Sequence, residues 1–281
     1  PAGKREKNLA AALNDLTWFD AIDTPVEDGA VFFAAGVFYY FRTEQVRALC
    51  AAMAERFPGG RLVFDGKGYL FIALGENNQR PTAQDLDKLQ GKLVRLTDLG
   101  EIPDDNPFVK ESGVRAEIWS YGIRNPQGMA MNPWSNALWL NKHGPRGGDE
   151  INIPQKGKNY GWPLATWGIN YSGFKIPEAK GEIVAGTEQP VFYWKDSPAV
   201  SGMAFYNSDK FPQWQQKLFI GALKDKDVIV MSVNGDKVTE DGRILTDRGQ
   251  RIRDVRTGPD GYLYVLTDES SGELLKVSPR N

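Results

Sequence analysis

The chain is poor in several things that would each define a class of protein. It has one cysteine in 281 residues, Cys50, so no disulfide can form within it. It has one histidine, His143. One histidine and one cysteine without clustered partners build neither a zinc site nor a histidine-based triad. Charge of one sign is also missing: 34 Lys and Arg face 36 Asp and Glu, a net charge of −2. That balance argues against a nucleic-acid partner, which calls for a basic excess. The longest nearly apolar run, residues 30–41, falls short of the ~18 residues that mark a membrane helix. It lies too far into the chain, without a cleavage pattern, to read as a signal peptide. The first residue is Pro1 rather than Met, which suggests a processed or engineered product. No Gly-x-x-x-x-Gly-Lys-Ser/Thr loop is present, and no Gly-x-Gly-x-x-Gly follows a strand pattern.

What the chain does have is turn chemistry. Thirty glycines and 17 prolines exceed the average share of about 12% and call for many turns. From about residue 60 onward one unit recurs: an alternating run, a turn rich in Asn, Asp, Gly or Pro, then a second apolar run. Its copies are GRLVF–DGKG–YLFI from 60, GMAM–NPWSN–ALWL from 128, GMAFY–NSD with a longer connection to KLFI from 202, and DVRT–GPDG–YLYV from 254. Each reads as a hairpin in which Gly supplies positive φ and Pro presets its own. Leu70, Leu138, Leu218 and Leu263 recur at the same place in the second run. Further strand patterns follow at 92–96, 228–233 and 273–277. Repeated hairpins extended by more strands predict a β-propeller with about four blades. A β-sandwich would use similar turns, but it does not call for the repetition.

Residues 1–59 read differently. Residues 31–40 are one apolar run, as in a strand buried on both faces. Thr43 is placed to cap a helix whose apolar residues are Val46, Leu49, Cys50, Met53 and Phe57, and Pro58-Gly59-Gly60 would stop it. With 61–64 as the next strand, the pattern is βαβ. The expectation is an all-β propeller domain at 60–281 preceded by an α/β segment at 1–59.

Three constellations carry candidate chemistry. In YGIRNPQG at 121–128, Arg124, Asn125 and Gln127 sit together on an expected turn before a strand, where planar donors meet carboxylates and carbonyls. In NKHGPRGGDE at 141–150, glycines and a proline expose carbonyls beside an acidic pair, a chemistry that suits a hard cation, although the spacing is not that of an EF-hand. In QRIRD at 250–254, Arg251 and Arg253 share one face of a strand and suit a polyanion; a charged outer edge strand would look the same. Lys224 follows the apolar run 218–223, where a chain would emerge at a propeller rim.

GGRLVFDGKGYLFIALGENNQ, WSYGIRNPQGMAMNPWSNALWL, HGPRGGDEIN, FIGALKDKDVIV and RIRDVRTGPDGYLYVLTD, in this order, resemble the C-terminal two-thirds of the glucose/sorbosone dehydrogenase family. These are six-bladed propellers that use pyrroloquinoline quinone (PQQ) and Ca2+ to oxidise aldose sugars to lactones. The resemblance implies that Arg124, Asn125, Gln127, Lys224, Arg251 and Arg253 contact the quinone, that Gly144 and Pro145 hold calcium through carbonyls, and that Trp194, Glu76 and Gln79 contact sugar. It implies a periplasmic location and small aldose sugars as partners, with no membrane and no nucleic acid. The family's base histidine falls three residues before the glycine of the GRLV strand, where this chain has Phe57. Impaired catalysis follows, or else a propeller that binds without turning over. Residues 8–65, through TWFDAIDTP, VFFAAGVFYYF and TEQVRALCAAMAERFPGGRLVFD, resemble part of an O-methyltransferase that uses S-adenosylmethionine, without its Gly-rich cofactor loop. The string GGRLVFD belongs to both resemblances, so a fused chain is expected. Four blades from a six-bladed ring should also leave sheet edges and one side of the central pocket open.

Overall fold

The structure is a computed structural model that describes residues 60–97 and 100–279. These residues belong to one compact unit, Gly59–Asn281. The α/β segment expected at 1–59, its helix and Phe57 lie outside the described residues.

Four antiparallel sheets follow one another along the chain, each a meander in which sequence neighbours pair. The first contains β1 (Gly60–Phe64), β2 (Tyr69–Leu74), β3 (Lys92–Thr97) and β4 (Ile118–Tyr121). The second contains β5 (Asn125–Met131), β6 (Leu138–His143), β7 (Asp149–Asn152) and β8 (Phe192–Trp194). The third contains β9 (Val200–Tyr206), β10 (Lys217–Ala222), β11 (Val228–Asn234) and β12 (Lys237–Ile244). The last has β13 (Ile252–Thr257), β14 (Leu263–Thr267) and β15 (Leu274–Val277). The four expected hairpins are the first two strands of the four sheets, with Phe64 opposite Leu70, Met131 opposite Leu138, Tyr206 opposite Lys217 and Thr257 opposite Leu263. First strands pack on first strands: β1 on β5, β5 on β9, β9 on β13. This is the blade arrangement of a β-propeller, with four blades among the described residues.

The core lies between blades. A second strand is covered by a neighbour on each side, so both sets of alternating side chains are buried. In β10, Leu218, Ile220 and Ala222 join Trp139, Met203 and Phe205 between the second and third blades. Phe219, pointing the other way, joins Tyr206, Val255, Leu263 and Val265 between the third and fourth. Likewise Phe71 and Ala73 pack on Met129, Leu138 and Leu140, while Leu70 and Ile72 face away with Val94. The four recurring leucines, Leu70, Leu138, Leu218 and Leu263, are all buried. The flanking blades keep exposed apolar side chains: Leu62 and Phe64 on β1, Leu266 and Leu274 on the last sheet.

The first strands carry register shifts toward one end. The β5–β6 ladder skips Gln127, and the β13–β14 ladder skips Arg253. A bulge of this kind re-aims the extra side chain. The expected turn at 124–127 is thus a strand from Asn125 onward. Pro126 is accommodated because β5 is a first strand with one edge unpaired within its sheet.

Removing a fully buried side chain at the junction of two blades should be costly. Leu218→Ala is expected to lower stability by about 2–5 kcal/mol, read by urea denaturation; a loss under about 1 kcal/mol would mean that the blades are not packed as described.

Candidate active site

The candidate residues gather at the end of the first strands where the bulges lie. Arg124, just before β5, is partly buried; its Nη1 donates to the carbonyls of Gly144 at 2.7 Å and His143 at 3.3 Å. Its Nε is buried without an acceptor. Its guanidinium lies 5.2 Å from the Trp162 ring centre. Burial pulls its pKa down, while Tyr171, Glu76 and Asp149 act to keep it charged. The amide of Glu76 donates to the Arg124 carbonyl at 2.9 Å. The Glu76 side chain is buried and its Oε2 has no hydrogen-bond partner. Desolvation raises its pKa against the pull of Arg124 and Arg80.

The glycine-rich run after β6 is shaped by close backbone approach. A Cβ on Gly144 would lie 2.1 Å from the Gly147 carbonyl oxygen, and one on Gly148, at φ +73°, 2.7 Å from the Gly168 amide. The loop turns so that the Gly144 amide donates to Asp149 Oδ1 at 2.9 Å while its carbonyl faces Arg124. Asp149 is fully buried, and its Oδ2 accepts from the Val200 amide at 3.0 Å, which ties the loop to the third blade. His143 spans the same junction, with Nε2 2.6 Å from the Val200 carbonyl oxygen. A carbonyl only accepts, so Nε2 carries the proton; burial lowers the pKa, leaving a neutral structural imidazole.

The third and fourth blades supply the other cations. Lys224 Nζ donates to the Ser197 carbonyl at 3.0 Å. Arg251 Nη1 reaches the Leu223 carbonyl beside it at 3.4 Å. Arg251, just before β13, and Arg253, the bulged residue of β13, share Asp268: Arg251 through Nε and Nη2 at 3.0 and 2.9 Å, Arg253 through Nε at 2.9 Å. Partial burial works against the Asp268 charge, but the hydrogen bonds from Arg253 and Arg251 prevail and hold its carboxyl below the usual range. Arg253 is also close enough to His143 to act on its titration, as Arg124 does. Arg124, the Gly144 carbonyl, His143, Arg253, Arg251 and Lys224 therefore form one neighbourhood. Gln127 Nε2 donates to Asn125 Oδ1 at 2.8 Å on the adjoining stretch of β5.

Gln79 is exposed at the edge of this neighbourhood, in the loop that holds Glu76. Trp194 is placed elsewhere: its ring is in the core between the second and third blades, and its Nε1 donates to Glu240 Oε2 at 2.8 Å. Three partners escaped the sequence reading: Asp268, Arg61 and Tyr171. Asp268 orders the arginine pair, while Asp149, from the acidic pair of the 141–150 motif, anchors the glycine loop. Arg61 on β1 donates through Nε to the Gln127 carbonyl and approaches Asp254 at 3.8 Å. Tyr171 acts on Arg124 from a distant part of the sequence. Asp268 was within reach of the hairpin pattern, because Ile252 opposes Thr267 and so sets Asp268 beside Arg251.

Bladed sheets whose first strands begin beside Arg124, Arg251 and Arg253 and a glycine-rich loop define a propeller with charged side chains at one end of its first strands. The chain belongs to the Glucose / Sorbosone dehydrogenase family, whose model matches residues 43–276. That match begins within the stretch 8–65, for which a methyltransferase resemblance was expected. The chain is 98% identical over 223 residues to aldose sugar dehydrogenase YliI of Escherichia coli K12, covering 79% of this chain and 60% of the relative. It is similar to the apo crystal structure of the soluble aldose sugar dehydrogenase from E. coli: TM-score 0.78, 99% identity, 79% of this chain and 64% of that one. The PQQ-bound aldose sugar dehydrogenase of Streptomyces coelicolor superposes with TM-score 0.60 at 27% identity, over 78% of this chain and 60% of that one. The chain thus spans about three-fifths of the length of these relatives. No described helix is long and apolar enough to cross a membrane.

Two outcomes test this geometry. Gly148→Ala forces a side chain into a positive-φ site against backbone and should destabilise by about 1–3 kcal/mol, seen as a lower Tm. Asp268→Asn should cost on the order of 1 kcal/mol at pH 7. A depressed carboxyl pKa stabilises above the unfolded value of about 3.9, and that contribution is lost as pH falls through the folded value. The Tm gap between wild type and Asp268→Asn should therefore close below about pH 4; a gap unchanged at pH 3 would refute the ion-pair role.

Proposed function

We propose that the chain carries the cofactor centre of a PQQ- and Ca2+-dependent dehydrogenase that oxidises aldose sugars to lactones. The observation that carries this reading is that Arg124 sits on the Gly144 carbonyl, Arg253 lies near the adjoining His143, Arg251 shares Asp268 with Arg253, and Lys224 follows Leu223, whose carbonyl Arg251 reaches. The donor set fits the groups it would hold. Three carboxylates of the quinone match three or four cations capable of charge-assisted bonds, and the buried Arg124 Nε is a donor still lacking an acceptor. Asn125 and Gln127 add planar amides on the same bulged strand. The Gly144 carbonyl already points at a cationic group, which is what a calcium ligand must do, and the adjoining Pro145 carbonyl would complete that edge.

When bound, the quinone supplies a two-electron acceptor for the hydride from sugar C1, with calcium as the Lewis acid beside it. The protein's part is to hold and orient. Arg251 and Arg253, held by Asp268, present a fixed fork. Lys224 adds a point charge. Glu76 and Gln79 border the site from the first blade and are assigned to sugar contact. Trp194 was assigned with them by resemblance; its packing makes it a support for the blade junction. Removal of the C1 hydroxyl proton calls for a base, and Phe57, at the position of the family's histidine, has no basic atom. Impaired turnover is therefore part of the proposal. A second reading, a propeller that binds sugar, cofactor or a protein partner without turnover, is favoured by the same residue.

Residues 1–59 are proposed as a separate α/β segment fused to the propeller, on the strength of the methyltransferase-like strings at 8–65, and no methyl transfer is assigned to them. The periplasm is proposed as the location from the family resemblance.

Spectral titration of the full chain with PQQ and Ca2+ should give saturable binding, weakened at least about tenfold by Arg253→Gln, a change of about 1.4 kcal/mol. Absence of binding would overturn the enzyme reading and the cofactor-binding propeller alike. Phe57→His should then raise dye reduction with glucose by about 10²–10⁴; a rise below tenfold would overturn the assignment of the base.

A further inference from the structure

The first strands of the four blades also meet at their other end, away from Arg124 and Arg251. There Val63 of β1, Met129 and Met131 of β5, Met203 of β9, and Arg256 and Thr257 of β13 wall a cavity of about 330 Å3, a size at the lower end of small-molecule sites. Most of a strand separates it from the cationic centre. β5 runs from Asn125 to Met131 and β13 from Ile252 to Thr257, which at ~3.3 Å per residue puts roughly 15–20 Å between the two ends. None of these wall residues belongs to the candidate active site.

Two chemistries share this cavity. The walls are apolar and adaptable: three methionines line it with Phe205, and an unbranched thioether side chain reshapes itself around what it touches. The charge is positive and fixed. Arg256 Nη1 donates to the Met203 carbonyl at 2.9 Å, and its Nη2 lies 3.1 Å from Asp254 Oδ2. These contacts use two of the five N–H groups of a guanidinium, and half of the Arg256 side chain is open to solvent. Asp254 is also 3.8 Å from Arg61 Nη1. Burial lowers the Arg61 pKa, Asp254 opposes it, and Arg256 and Arg253 add to the fall, so the three guanidiniums lie near one another. Arg253 has Asp268 as its partner. Among the described residues Arg61 and Arg256 share the one carboxylate of Asp254, which leaves a positive charge over.

An apolar body with one anionic group satisfies both chemistries. Pliable thioethers suit a flexible chain, and a guanidinium fork is the natural partner of a carboxylate. We infer that the cavity at the far end of the first strands binds a monocarboxylate with an unbranched apolar chain, its carboxylate on Arg256 and its chain against Met129, Met131 and Met203. The inference makes no use of the quinone reading of the central site.

Calorimetric titration of the full chain with hexanoate, octanoate and 1-octanol, quinone omitted, tests the site. Octanoate should bind about tenfold tighter than hexanoate, the gain from burying two more methylenes. It should bind at least about tenfold tighter than 1-octanol, which lacks the charge. Arg256→Gln should remove that second advantage and leave 1-octanol unchanged. Asn207, an exposed residue of the lining, offers a variant that leaves the packing alone: Asn207→Asp adds a like charge and should weaken octanoate by roughly threefold to tenfold. Arg251→Gln, at the other end of the strands, should leave octanoate binding as it is. Thermal melts check that the variants fold, and Asn207→Asp decides the matter if Arg256→Gln does not. Octanoate that fails to bind the wild type overturns the site. So does octanoate that binds the Arg256 and Asn207 variants as tightly as the wild type, the mark of adsorption on exposed apolar side chains such as Leu62 and Phe64. Weakening by Arg251→Gln in place of Arg256→Gln would put the carboxylate in the central site and overturn it equally. None of these outcomes depends on whether the chain takes up quinone.

Discussion

Burial of a strand on both faces is the constraint from which this architecture follows. β10 gives Leu218 and Ile220 to one neighbour and Phe219 to the other. A sheet treated this way must be flanked by sheets on both sides, and the first strands are then drawn together. Small residues allow this: a Cβ on Gly202 would sit 1.6 Å from Asp254 Oδ1 of the next blade, and one on Gly128 2.6 Å from the Ser201 carbonyl oxygen. The site is a consequence of that convergence, since residues on different first strands become neighbours only where their ends meet.

The cations at that meeting point are held rather than loose. Asp268 orients two guanidiniums, and Asp149 fixes both the glycine loop and the third blade. Opposite charges placed beside the cations reduce their mutual repulsion. The histidine that the sequence offers as an eye-catching titratable group serves instead as a neutral strut to Val200.

Much of the fold could be read from turn chemistry. The DGKG, NPWSN, NSD and GPDG turns between alternating runs marked four hairpins, because a turn fixes pairing locally. The outer strands β4, β7, β8 and β12 were harder to read. They are short or partly exposed, and their pairing is set by the strand beside them. The loop motifs at 124–127 and 144–148 were recognisable as unusual, but Pro126 and Gly128 looked like a turn when they are the edges of a bulge. Trp194 looked like a contact for sugar because its neighbourhood in sequence matches the family; its indole is committed to Glu240, which no local pattern reveals.

The sequence by itself determined the class: the balance of charge, the single cysteine and histidine, the repeated hairpins and the motifs that match the Glucose / Sorbosone dehydrogenase family. These are local properties, legible because a turn or a strand depends on a handful of adjacent residues. Only the tertiary structure decided which groups act together. Asp268 with Arg251, Tyr171 and Glu76 with Arg124, and Arg80 with the loop at 170–178 are meetings across the chain. They follow from blades stacking face to face, a long-range packing with no short sequence signature.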